Sequence, residues 1–273
     1  MITNGSKTRA VQLADFLTLK VVTDPRPSPD GSRVVLALQE VDVSGDGYLS
    51  HLWLVDGSES RPLTRGKVKD RSARWSPDGR RIAFVSDRGG EQGIWLLDLA
   101  GGEPRLLHSW KNLSPSGLTW SPRGDRLAFL GVPTPPEPEG EMKTGDGGLK
   151  LRRITRPMYR FDGSGWLADE RAHIHVLDVP APGSNAVSPE PRQLTTGPAD
   201  DGPPAWSPDG AEIAYAGLLG ETADEVDLRR NESQVFIIAA DGPGEPRRIT
   251  KRDGGWGGPV WSPDGRWIAV TGT

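Results

Sequence analysis

The stretch "KLRRITRPMYR" (150–160) gathers Lys150, Arg152, Arg153, Arg156 and Arg160 with no acid among them. A guanidinium presents two parallel N–H donors that match a carboxylate in width, so this cluster could grip a carboxylate on a ligand or another surface. Tyr159 and Phe161 flank Arg160 and would hold it, and Trp166 lies close by. The candidate binding residues are therefore Arg156, Tyr159 and Arg160, with Arg152 and Arg153 beside them. The plainer alternative is a solvated or salt-bridged loop, the ordinary fate of a charge run.

Other groups that could do chemistry are weaker. His173 and His175 stand two apart on one strand face, as a metal pair would, but a metal site needs three or four convergent ligands. His175 also falls where other units place Trp53, Trp95 and Phe236, which marks a packing position. "DVSGDG" (42–47) spaces Asp42, Ser44 and Asp46 like the opening of a calcium loop. Its twelfth position is Trp53, where a bidentate glutamate is required, so it reads as a hairpin loop. The acidic run "ETADEVDLRRNE" (221–232) could meet an amine or form a solvated helical turn. The expectation is no metal and no cofactor.

The totals narrow the class. With no cysteine in 273 residues there is no disulfide, thiolate ligand or cysteine nucleophile. A net charge of -4 argues against nucleic acid and anionic membrane as partners. The opening residues "MITNGSKTRAVQLADF" hold no apolar core of signal length, and no later run approaches a membrane span. A cytoplasmic location is the simplest expectation. The 35 glycines and 25 prolines collect between apolar runs, the pattern of a many-turned β-protein.

What positions these residues is a repeat. "WSPDGRRIAFVSDR" (75–88) returns as "WSPRGDRLAFL", "WSPDGAEIAYA" and "WSPDGRWIAVT". Pro77 presets φ for a tight turn, Asp78 suits the next position, and Gly79 accepts the positive φ that follows. In the strand after the turn, Ile82 and Phe84 share one face and Ala83 and Val85 the other, so both faces are covered. A third strand follows ("HLWLVD", "GIWLLD", "HIHVLD", "QVFIIA") and then a short fourth ("RPLT", "RLLH", "RQLT", "RRIT"). Four strands per unit at forty-odd residues is the signature of a β-propeller, all-β with four-stranded antiparallel blades.

Units are marked by Pro27, in the degenerate "PSPDGSRVV", and by Trp75, Trp120, Trp206 and Trp261. The expected organisation is a lead-in over 1–23 and a partial propeller over 24–273. Blades start near 24, 72, 117, 203 and 258, about four and a half in all. Length varies between second and third strands, so the long third unit reads as one blade with an insertion at 131–172. "RRIT" at 152–155 mimics a fourth strand and leaves a hidden extra blade as the other reading. In a meander the second-to-third loops and the links between blades emerge on one face, where loops on a rigid scaffold gather function.

The repeat resembles the propeller repeats shared by TolB and the prolyl oligopeptidase family of serine peptidases. "DFLTLKVVTDPRPSPDG" (15–31) and "RRITRPMYRFDGSGWLADERAHIHVLDV" (152–179) are similar to segments of its acylaminoacyl-peptidase-like subgroup. The resemblance covers nearly the whole chain. It implies a seven-bladed propeller that filters short peptide substrates for an α/β-hydrolase domain of the same polypeptide, with self-association left open. No Gly-x-Ser-x-Gly elbow occurs in the sequence, so the triad nucleophile is expected outside these residues. An end after two strands of a blade would leave an open sheet edge, which suggests a portion of a longer chain. The alternative is a stand-alone TolB-like propeller acting as a protein-binding module.

Overall fold

The computed structural model describes residues 9–134, 141–142, 149–150, 154–162, 165–167, 170–181, 183–184, 190–228, 232–242, 244–251 and 254–272. A short helix, α1 (Leu13–Phe16), precedes the sheets. The first blade is β1 (Lys20–Pro27), β2 (Arg33–Asp42), β3 (Gly47–Asp56) and β4 (Glu59–Pro62). The second is β5 (Arg71–Trp75), β6 (Arg81–Ser86), β7 (Gln92–Asp98) and β8 (Arg105–Trp110). The third opens with β9 (Leu113–Trp120) and β10 (Arg126–Pro133), then runs through four two-residue strands. These are β11 (Glu141–Met142), β12 (Leu149–Lys150), β13 (Arg160–Phe161) and β14 (Gly165–Trp166). It resumes with β15 (His173–Asp178) and β16 (Arg192–Gln193). The fourth is β17 (Ala205–Trp206), β18 (Glu212–Leu218), α2 (Ala223–Leu228), β19 (Ser233–Ala239) and β20 (Arg247–Arg248). Last come β21 (Trp256–Trp261) and β22 (Ile268–Gly272), which form a two-stranded sheet.

Each of the four complete sheets is an antiparallel meander, as the repeat predicts. In the third, β10 pairs with β15 across the insertion, from Arg126↔Asp178 to Gly131↔His173. The inserted strands form separate hairpins, β11–β12 and β13–β14, and add no strand to the blade. β1 reaches back to Lys20, into the stretch read as lead-in, because β2 is long enough to offer Glu40 as its partner.

The Ser-Pro-Asp-Gly turn closes by side-chain bonds. Ser76 Oγ donates to Asp78 Oδ1 at 2.5 Å, Asp78 accepts from Arg80 N at 3.1 Å, and Arg81 N donates back to Ser76 Oγ at 2.9 Å. Gly79 has φ +68°, the left-handed value its lack of a Cβ allows. The short fourth strands have a similar local cause. Thr64, Thr195 and Thr250 each accept a third-strand N–H on Oγ1, from Leu52 (2.8 Å), Ile174 (2.8 Å) and Val235 (3.1 Å). A hydroxyl takes the place of the next backbone carbonyl, and the ladder stops.

Blades are joined by packing and by one repeated bond. Ile82 and Phe84 of β6 pack towards the first blade with Val35, Leu52 and Leu54. Ala83 packs towards the third with Leu127, Phe129 and Leu177. A strand covered on both faces is therefore a wall between two cores. At the rim of each core the tryptophan reaches back one blade. Trp75 Nε1 donates to the Arg26 carbonyl (2.9 Å), Trp120 to Arg74 (3.0 Å), Trp206 to Thr119 (3.4 Å) and Trp261 to Ala205 (3.1 Å).

Candidate functional site

The insertion of the third blade and the helical insertion of the fourth meet on one face, as the meander requires. Arg156 leaves the loop before β13 and is 8% exposed. Its Nη2 donates to Asp227 Oδ1 at 2.8 Å and to the Pro198 carbonyl at 3.0 Å, and its Nε reaches Asp227 Oδ2 at 3.3 Å. Asp227, on α2, also accepts from Met158 N at 3.2 Å and from Arg171 Nη2 at 3.4 Å. Burial opposes ionisation of this carboxyl. The Arg156 and Met158 bonds and the two guanidinium charges outweigh burial and hold it below the ordinary carboxylate range.

The β13–β14 hairpin builds the open part of the site. Its register sets Arg160 opposite Trp166, and Leu167 N closes it on the Tyr159 carbonyl at 2.9 Å. The Arg160 guanidinium lies 5.8 Å over the Trp166 ring, and the Tyr159 and Trp166 rings stand 5.7 Å apart at 34°. Tyr159 and Trp166 are 42% and 38% exposed, and Arg160 is exposed beside them. An aromatic shelf with a cation along its edge can hold an apolar side chain while pairing its carboxylate.

The candidate residues thus divide. Tyr159 and Arg160 share this shelf, Arg156 is committed to Asp227, and Arg152 and Arg153 lie outside the described residues. Asp227 and Arg171 carry weight that sequence reading did not assign to them. The signal was present as opposite charge in two inserts, but 71 residues separate Arg156 from Asp227. His175 stacks on Phe129 at 5.4 Å and 18°, and burial lowers its pKa. His173 faces Asp201 at 3.2 Å. Among the described residues no group of three or more His, Asp or Glu side chains is placed to hold a metal ion. Nor is any described helix long and apolar enough to cross a membrane.

Residues 7–134 match the TolB beta propeller domain family. Fold and repeat together define the chain as a β-propeller, TolB-like over those residues. Its relatives and structural neighbours include peptidases that carry such a propeller, in keeping with the family resemblance of the repeat and lead-in. The chain is 31% identical to the uncharacterized peptidase YuxL of Bacillus subtilis over 77% of its own length and 31% of that protein's. It is 27% identical to the uncharacterized protein Atu1656 of Agrobacterium fabrum, over 95% of its own length and 87% of that protein's. The uncomplexed acylaminoacyl peptidase of Pyrococcus horikoshii shares the fold with a TM-score of 0.59 at 16% identity. That match covers 87% of this chain and 33% of the other. The chain therefore spans about a third of the peptidases it matches.

Proposed function

We propose that this propeller is the substrate-selecting portion of a cytoplasmic serine oligopeptidase of the acylaminoacyl-peptidase-like kind. Such an enzyme cleaves short peptides with a serine nucleophile on an α/β-hydrolase domain of the same polypeptide. The observation that carries the reading is the likeness to the peptidase YuxL, at 31% identity over 77% of the chain. The insert face supports it, because an aromatic shelf edged by Arg160 suits the C-terminal carboxylate of a short peptide. Arg160 is assigned that role, with Tyr159 and Trp166 beneath it; Arg156 holds the insert that presents them.

A fluorophosphonate probe applied to the native polypeptide containing this propeller should label one serine outside 1–273. Absence of labelling, with a stable partner protein recovered instead, would favour the TolB-like binding module. The match of residues 7–134 to the TolB beta propeller domain is the observation on that side. In the labelled enzyme, Arg160→Ala should lower kcat/KM for peptides with a free C-terminus more than for amidated ones. A lost charge-assisted hydrogen bond costs about 1.5–3 kcal/mol, roughly tenfold or more in rate. An equal loss on both substrates would make Arg160 a contact to the catalytic domain, and no loss would make it a solvated arginine.

A further inference from the structure

The junctions between turns of successive blades are built alike, and one of them takes an acid where the others take a cation. At three junctions the arginine that opens the second strand lays its guanidinium over the next blade's tryptophan. Arg33 stands 5.1 Å over Trp75, Arg81 5.2 Å over Trp120 and Arg126 5.0 Å over Trp206. Each also donates to the carbonyl of the next turn's glycine: Gly79 at 3.3 Å, Gly124 at 3.0 Å and Gly210 at 2.7 Å.

At the fourth junction the tryptophan and the turn glycine recur. Trp261 is bonded to Ala205, Gly265 keeps φ +71°, and Pro208 Cδ lies 3.8 Å from where a Cβ on Gly265 would sit. The residue in the arginine position is Glu212. Between the two turns is a cavity of about 420 Å³ lined by Pro208, Asp209, Glu212, Trp261, Asp264 and Gly265. The Ser207 and Ser262 hydroxyls hold Asp209 and Asp264 below the ordinary carboxylate range, so both are anions at neutral pH. Arg247 of the exposed β20 meets Glu212 at 3.9 Å, the outer limit of an ion pair.

We propose that this slot binds a guanidinium group carried by another molecule. The planar cation stacks on Trp261, donates to the Gly265 carbonyl and pairs with Glu212, while Asp209 and Asp264 make the mouth negative. The site lies on the face opposite the inserts and does not depend on the peptidase reading. The three arginine-filled junctions are its template within the same chain.

The test titrates arginine amide, and separately a capped Gly-Arg-Gly tripeptide, into the full chain by calorimetry. Citrulline amide serves as the uncharged isostere. Arginine amide should bind saturably and at least tenfold more tightly than citrulline amide, and Glu212→Gln should weaken it at least tenfold. Glu212→Arg supplies the cation from within, as at the other junctions. It should abolish binding while raising Tm by about 2–4 °C, so that lost binding is not lost fold. Tripeptide binding tighter than arginine amide assigns the slot to arginine side chains on polypeptides; equal binding assigns it to small guanidinium compounds. No saturation by about 10 mM, equal binding of citrulline amide, or undiminished binding to Glu212→Arg overturns the proposal.

Discussion

Trp120 does two jobs at the end of its strand. Its indole N–H satisfies the Arg74 carbonyl, and its ring face carries the Arg81 guanidinium. Trp120→Phe keeps most of the apolar volume but leaves that carbonyl without its donor, at a cost of about 1–3 kcal/mol. Trp261→Phe should cost less, because Trp261 has an acid in the arginine position. Chemical denaturation of both variants gives the comparison, and equal losses would show that the cation contributes nothing. Within the turns, the Ser28 hydroxyl holds the Asp30 carboxyl down to about 2. A carboxyl depressed in the folded state stabilises above its unfolded value, about 3.9, and that stabilisation is lost as pH falls towards about 2. Ser28→Ala should move Asp30 up towards the ordinary value, read from its carboxyl carbon resonance. These turns were legible in the sequence, because Ser-Pro-Asp-Gly is complete within four residues. The indole's partner was not, because it lies 46 residues away on the preceding blade.

Among the elements, the inserts were legible one at a time and not as a pair. The basic run and the acidic run each read as solvated or ligand-facing, yet Arg156, Arg171 and Asp227 are 7%, 6% and 5% exposed at the side chain. The insertion of the third blade is thereby pinned to α2 of the fourth. Removing one partner of such a buried pair strands the other charges, at a cost of about 3–5 kcal/mol. For Asp227→Ala that loss should appear locally. Hydrogen exchange should quicken at 154–160 and in α2 while β6 and β10 keep their protection. Uniform deprotection would instead make the pair part of the global core. Because the Asp227 carboxyl is depressed, the pin should hold above about pH 4 and loosen as acid titrates it.

At the scale of the molecule, the blade count and strand order followed from the repeat because each unit is specified locally and buries its faces only against its neighbours. The insertion obeys no such rule, so its hairpins were not readable. The cores nevertheless show how little the ring needs it. The cluster between second and third blades takes Leu127, Phe129, Leu177 and Val179 from the third, and that between third and fourth takes Ala128, Leu130, Ile174 and Val176. All of these lie on β10, on β15 or directly after it, and the β10–β15 ladder is continuous up to Gly131↔His173. Replacing 133–171 by an Asn-Gly turn should therefore preserve the β-type far-ultraviolet spectrum and cooperative unfolding. Closing a shorter loop lowers the entropic cost by about 0.6 kcal/mol for each halving, which offsets part of the lost Arg156–Asp227 contact. The same excision removes the Tyr159, Arg160 and Trp166 shelf, so on the proposed peptidase function it should erase the proposed preference for a free peptide C-terminus. A ring that fails to fold without the insertion would make it a structural brace; a preference that survives would place the carboxylate contact elsewhere.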